Sequence, residues 1–257
     1  MIVKDILLAH PCKHLLICST SVPLFYLHQF WITAKANLDD ESFTVTLDRQ
    51  VYNVNHDVLR TVLHLPQADN EFAPILPELD LLDFFIELGY DVDDNVPLVK
   101  HSRFNAKNIP QPWRTFCLLV VRSISGRKSG HEHPRLEHLQ TFWGMVTLTP
   151  IDFAVPIMNG IVYNIQTERV KTMIPFTRFT KLLIEHLCKS SPEFIKRMAD
   201  PNEPKHLFDD DFTTSFIKTT TSSTKIKGMR LPEYLLDDNI KKSLNYKLYD
   251  NAYKCVQ

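Results

Sequence analysis

The chain has 257 residues, of which 44% are hydrophobic, and its 29 lysines and arginines nearly balance 30 aspartates and glutamates. That composition is ordinary for a globular protein and allows a sizeable core, in one large domain or two modest ones. No apolar run approaches the roughly 20 residues that cross a bilayer, which excludes a membrane-spanning helix.

Sixteen prolines against six glycines predict many short elements with hard stops. The apolar N-terminus is broken by His10, Pro11, Lys13 and His14 and does not read as a secretory signal. Five scattered cysteines fit reduced thiols inside a cell, cytoplasmic or nuclear, better than a disulfide framework. The small net charge hides a segregation. Residues 37–95 carry fourteen acids and two bases, whereas 100–135 carry eight bases and one acid. The plain reading is two stretches that face each other or form solvated faces. The sharper one is a basic surface that attracts phosphates.

In chain order, residues 22–36 predict a helix with Leu24, Leu27, Phe30, Trp31 and Ala34 as its apolar stripe. Phe43, Val45 and Leu47 alternate with threonines, and with a turn at 48–50 they predict a hairpin over 43–54. Asn55 should cap the next helix, whose stripe is Val58, Leu59, Val62 and Leu63. Pro77 starts another, with Leu79, Leu82, Phe85 and Ile86 facing inward and Gly89 as its stop. Pro110 and Pro112 precede Trp113, Phe116, Cys117, Val120, Val121 and Ile124, which fall on one helical face. Leu118 and Leu119 widen that face, leaving Arg114, Thr115, Arg122 and Ser123 polar, so 113–125 is expected as a buried central helix.

Leu136, Leu139, Phe142, Trp143 and Val146 mark the next helix. Thr149-Pro-Ile-Asp152 is a start signal for one that Pro156 and Gly160 should kink or break near its first turns. Residues 176–188 read as amphipathic, and Ser191-Pro-Glu193 opens a shorter helix. A second hairpin is expected over 212–230, then a last helix from Asp238. The fold class is therefore mainly α: a single domain, 1–257, around the 113–125 helix, with two small hairpins and room for a C-terminal hairpin–helix subdomain over 205–257.

Motifs for chemistry are poor. Ser125-Gly-Arg-Lys-Ser-Gly130 lacks the upstream glycine and preceding strand of a phosphate-binding loop. Tyr90-Asp-Val-Asp-Asp94 reads as an acidic turn. The histidines of 10–14 and 131–138 match no zinc spacing. Cys117 sits on the buried stripe. No catalytic, cofactor-binding or metal-binding residue is assigned, and no small-molecule substrate is identified. The candidate nucleic-acid contacts are Arg114, Arg122, Arg127, Lys128 and Arg135.

Several segments together carry a resemblance. Phe25-Tyr-Leu-His-Gln-Phe-Trp-Ile-Thr-Ala34 resembles a recurring YIQQFW-T segment. Leu47-Asp-Arg-Gln-Val-Tyr52, Val58-Leu-Arg60, Gln111-Pro-Trp-Arg-Thr115, the 125–130 loop, Phe142-Trp-Gly-Met-Val146 and Ile151-Asp-Phe153 follow in the same order. Arg178-Phe-Thr-Lys-Leu-Leu-Ile184 and Gly228-Met-Arg-Leu-Pro232, with Tyr246 and Tyr249, close the set. It is similar to a family of plant open reading frames associated with long-terminal-repeat retrotransposons, abundant in daisy-family genomes and often described as retrovirus-related or integrase-like from their neighbourhood. The resemblance implies an element-encoded protein beside polyprotein-like regions, with no established catalytic residues. This chain departs at 125–130, where relatives more often read Ser/Thr-Gly-Lys-Thr-Ser/Thr-Gly. The expected function is a non-enzymatic structural or interaction domain with a protein partner or a second copy. Nucleic-acid binding through the basic segment is the alternative.

Overall fold

The computed structural model describes residues 2–37, 39–67, 71–92, 100–125, 130–167, 174–205 and 230–254. Among them the protein is mainly helical with one small antiparallel sheet. Of the expected second hairpin only Arg230 is described, so that expectation lies outside these residues.

The helices are α1 (Ile2–Ala9), α2 (Lys13–Ile17), α3 (Leu24–Thr33), α4 (His56–Leu63), α5 (Glu78–Glu87), α6 (Trp113–Ser125) and α7 (Leu136–Thr147). They continue with α8 (Ala154–Gln166), α9 (Thr177–Cys188), α10 (Pro192–Ala199), α11 (Asp238–Lys242) and α12 (Leu244–Lys254). Strands β1 (Lys35–Asn37), β2 (Ser42–Leu47) and β3 (Gln50–Val54) form the sheet in that order.

Helix α6 packs against α2, α7 and α9, and its burial exceeds the expectation: Thr115 and Ser123 are buried with the apolar stripe. Only Arg114, Leu118 and Arg122 keep partial exposure. Trp113 stacks on Phe116, which meets Phe142 of α7 edge-on, with ring centroids 5.5 Å apart. Phe142 in turn stacks on Phe85 of α5 at 5.3 Å. Phe85 and Leu82 face inward as predicted, but the rest of the predicted face of α5 is corrected. Leu81, Leu82 and Phe85 are buried, while Leu79 and Ile86 face solvent.

The 43–54 hairpin forms with Phe43 opposite Val54 and Leu47 opposite Gln50. Its two turn residues, Asp48 and Arg49, both have positive φ (48° and 66°), as a tight hairpin of this twist requires. Aspartate tolerates that backbone better than most residues. Here its carboxylate also accepts from the Tyr26 hydroxyl at 2.6 Å and from Ser191 Oγ at 2.8 Å. The turn thus anchors α3 and the start of α10 to the sheet.

Four local expectations change. Residues 35–37 leave the helix and pair with β2, Lys35 opposite Thr44. The Thr33 hydroxyl, bonded to the backbone N–H and carbonyl of Thr46, holds that junction. Helix α8 is not broken by Pro156, because it starts at Ala154 and the proline falls in its first turn, where no intrahelical acceptor is lost. Thr149 does not cap it; Asp152 Oδ1 accepts from the Ala154 N–H instead, at 3.0 Å. The last helix is split at Ser243, whose hydroxyl caps Tyr246 N and donates to Asp5 of α1. Helices α1 and α2 were not anticipated. At eight and five residues they are too short to stand alone, and they persist because Ile2, Val3, Ile6, Leu7, Leu15 and Leu16 are buried.

Candidate functional site

The basic segment begins by folding onto the acidic one. Glu78 of α5 accepts from the backbone N–H of His101 at 2.7 Å and contacts its ring at 2.6 Å. The His101 N–H, then its ring, hold the Glu78 carboxyl below its usual range. Asp91 donates its N–H to the Asn108 carbonyl, and Tyr90 accepts from the Asn105 N–H.

The described candidate cations have three different surroundings. Arg114 donates to the Lys107 carbonyl, and Lys107 pairs with Glu132 at 2.9 Å. Lys107 lowers the Glu132 pKa most, with Arg114 adding a smaller pull. Arg122 lies two turns further along α6 and is half-buried. Arg135 precedes α7 and lays its guanidinium over the Tyr163 ring of α8, 5.2 Å from its centroid. Arg127 and Lys128 lie outside the described residues, as do the rest of the 126–129 loop and Asp93 and Asp94.

The histidine segment 10–14 divides. His14 sits 3.3 Å from Cys18 Sγ and against the His64 ring. His10 turns inward, and its Nδ1 accepts from the Cys12 N–H at 3.0 Å. The ring proton must then be on Nε2, and the ring also bonds the Met145 carbonyl. Both ring nitrogens serve the main chain. Burial pushes the His10 pKa down to about 4, and pushes the Cys12 thiol up to about 11. Cys117 is raised further by complete burial, so it fills the core as a small apolar residue. Among the described residues no three His, Cys, Asp or Glu side chains are grouped to hold a metal ion.

His10 carries a pH prediction. Its folded pKa lies below the unfolded value of 6.5, so the unfolded chain binds the proton first as pH falls. Stability from this group is complete above about pH 6.5 and drains away toward pH 4. Denaturant unfolding should show wild type losing about 2 kcal/mol between pH 7 and pH 5 from this group. His10→Asn keeps an acceptor for Cys12 without the titration and should remove that increment. An equal loss in both proteins would refute the assignment.

Among the described residues two arginines are buried. Arg60 of α4 forks onto Asp152, with Nε 3.3 Å from Oδ1 and Nη2 bonded to Oδ2, and its Nη1 meets Asp57 at 2.6 Å. Hydrogen bonding to Asp152 raises its pKa most. Arg178, in the first turn of α9, donates from Nη2 to the carbonyls of Leu15 and Ser123 and from Nη1 to that of Cys18. These carbonyls end α2 and α6, so the cation sits where the negative poles of two helices converge. Arg60, Asp152 and Arg178 each lie in a segment that carries the resemblance, and each is bonded within the fold. Gly144 serves the fold by absence, since a Cβ there would come 2.6 Å from Ile151 Cδ1.

No known family model, characterised protein or solved structure matches the chain. Among the described residues no helix is long and apolar enough to cross a membrane.

Proposed function

We propose that the protein is a non-enzymatic interaction domain, derived from a plant long-terminal-repeat retrotransposon, that works by presenting a surface to a protein partner or a second copy. One observation carries the interaction reading. Leu244 and Leu248 stand 71% and 60% exposed, one turn apart on α12. Single exposed leucines are common, but a pair at this spacing forms an apolar ridge suited to a partner helix. The buried polar groups support the same reading, since His10, Arg60, Asp152 and Arg178 are committed to the fold. The retroelement origin rests on the ordered set of segments named above.

The basic segment draws less support as a nucleic-acid surface. Lys107 is paired with Glu132, Arg114 lies close by, and Arg135 covers an aromatic ring. Light scattering over a range of concentrations tests the proposal. Wild type should gain apparent mass as it is concentrated, and Leu244→Glu with Leu248→Glu should hold it at the monomer value. A monomer at every concentration, with no partner retained by the ridge, would count against it.

A further inference from the structure

Between residues 10–12, the side chains of Pro66, Glu71 and Phe72, and the segment 148–153 lies a half-open cavity of about 520 Å³. Small-molecule sites run from about 300 to 1,000 Å³. The cavity's walls are apolar, with Pro66, Phe72, Leu148, Ile151 and Phe153 prominent. Water there has few partners, so an apolar occupant gains by displacing it.

The local fold is shaped to form these walls. Leu148 is the left-handed C-cap of α7, φ 55°, and it is 44% exposed where it lines the cavity. Gly144 lets Ile151 and Phe153 close onto α7. The Ala73 N–H, donating to the Pro150 carbonyl at 3.0 Å, ties one wall to the other.

Most polar side chains at the described lining are already engaged. The His10 ring is occupied by the main chain, and the Thr149 hydroxyl is shared with Thr147 at 2.6 Å. Arg60, 5.7 Å from the Phe72 ring, is offset by Asp152 and Asp57. Among the described lining residues that leaves the exposed carboxylate of Glu71 as the acidic group.

We propose that this cavity binds a small molecule with a compact apolar body and one ammonium group, the body against Leu148, Ile151 and Phe153 and the cation against Glu71. The proposal is independent of the interaction surface on α12.

A matched trio tests it on the full chain by calorimetry at low salt: 4-phenylbutylamine, 4-phenylbutanol and 4-phenylbutyrate. The amine should bind about three- to ten-fold more tightly than the alcohol, and the carboxylate more weakly than either. Glu71→Gln should bring amine and alcohol to within about two-fold while leaving the alcohol unchanged. Leu148→Asn, which suits the left-handed backbone, should weaken all three. Binding of the carboxylate as tightly as the amine would overturn the proposal, as would binding of none. An amine preference that survives Glu71→Gln would overturn the assignment to this cavity.

Discussion

Replacing Arg178 by methionine should destabilise the protein by about 4 kcal/mol, the largest single loss expected in this chain. The guanidinium makes charge-assisted bonds to the carbonyls of Leu15, Cys18 and Ser123, and such bonds contribute about 1.5–3 kcal/mol each. Methionine fills the space but leaves those acceptors without this donor, at the ends of two helices. The melting temperature should fall by roughly 8–16 °C for a domain of this size. Arg178→Lys keeps the charge but not the fork, so it should lose about half as much. A change below about 1 kcal/mol for Arg178→Met would show that the three carbonyls find other donors or water.

The second large effect concerns Asp152. Asp152→Ala leaves Arg60 buried with only the exposed carboxylate of Asp57, and it also strips the Ala154 N–H of its acceptor. The cost should be about 3 kcal/mol by denaturant unfolding. Arg60→Met combined with Asp152→Leu removes both charges and should recover most of that loss, because paired burial of ions contributes little net stability. A double mutant no better than Asp152→Ala would mean that the two side chains act separately.

These two arginines show what sequence reading reaches. Asn55 and Ser191 cap α4 and α10 as local rules predict, because an N-cap needs only a few neighbours in the chain. The stripe of α6 was legible because its apolar residues recur at helical spacing on every side that matters. The face of α5 was not, because Leu79, Leu81 and Leu82 are equally apolar. Tertiary packing buries Leu81 rather than Leu79, on a helix whose Phe85 stacks on Phe142, 57 residues away in the chain. The strand at 35–37 reads as helix until β2 is beside it.

The polar interior was least visible. Arg60 and Asp152 are 92 residues apart, and Arg178 reaches back 163 residues to Leu15. No local pattern announces either partnership. The inward turn of His10 likewise depends on a carbonyl of α7. The resemblance segments did contain Arg60, Asp152 and Arg178, but nothing in their spacing told scaffold from chemistry. Of the basic residues nominated from the sequence, Arg114 and Arg135 turn out to be placed by contacts with Lys107 and Tyr163, which charge counting does not foresee.

Asp5 accepts from Ser243 and from Asn245, which seats the beginning of α12 against α1. The far end of α12 is then about 16 Å along the helix from that junction, at 1.5 Å per residue. Loosening α12 should therefore loosen α1 as well, because eight residues make too few internal hydrogen bonds to hold a helix alone.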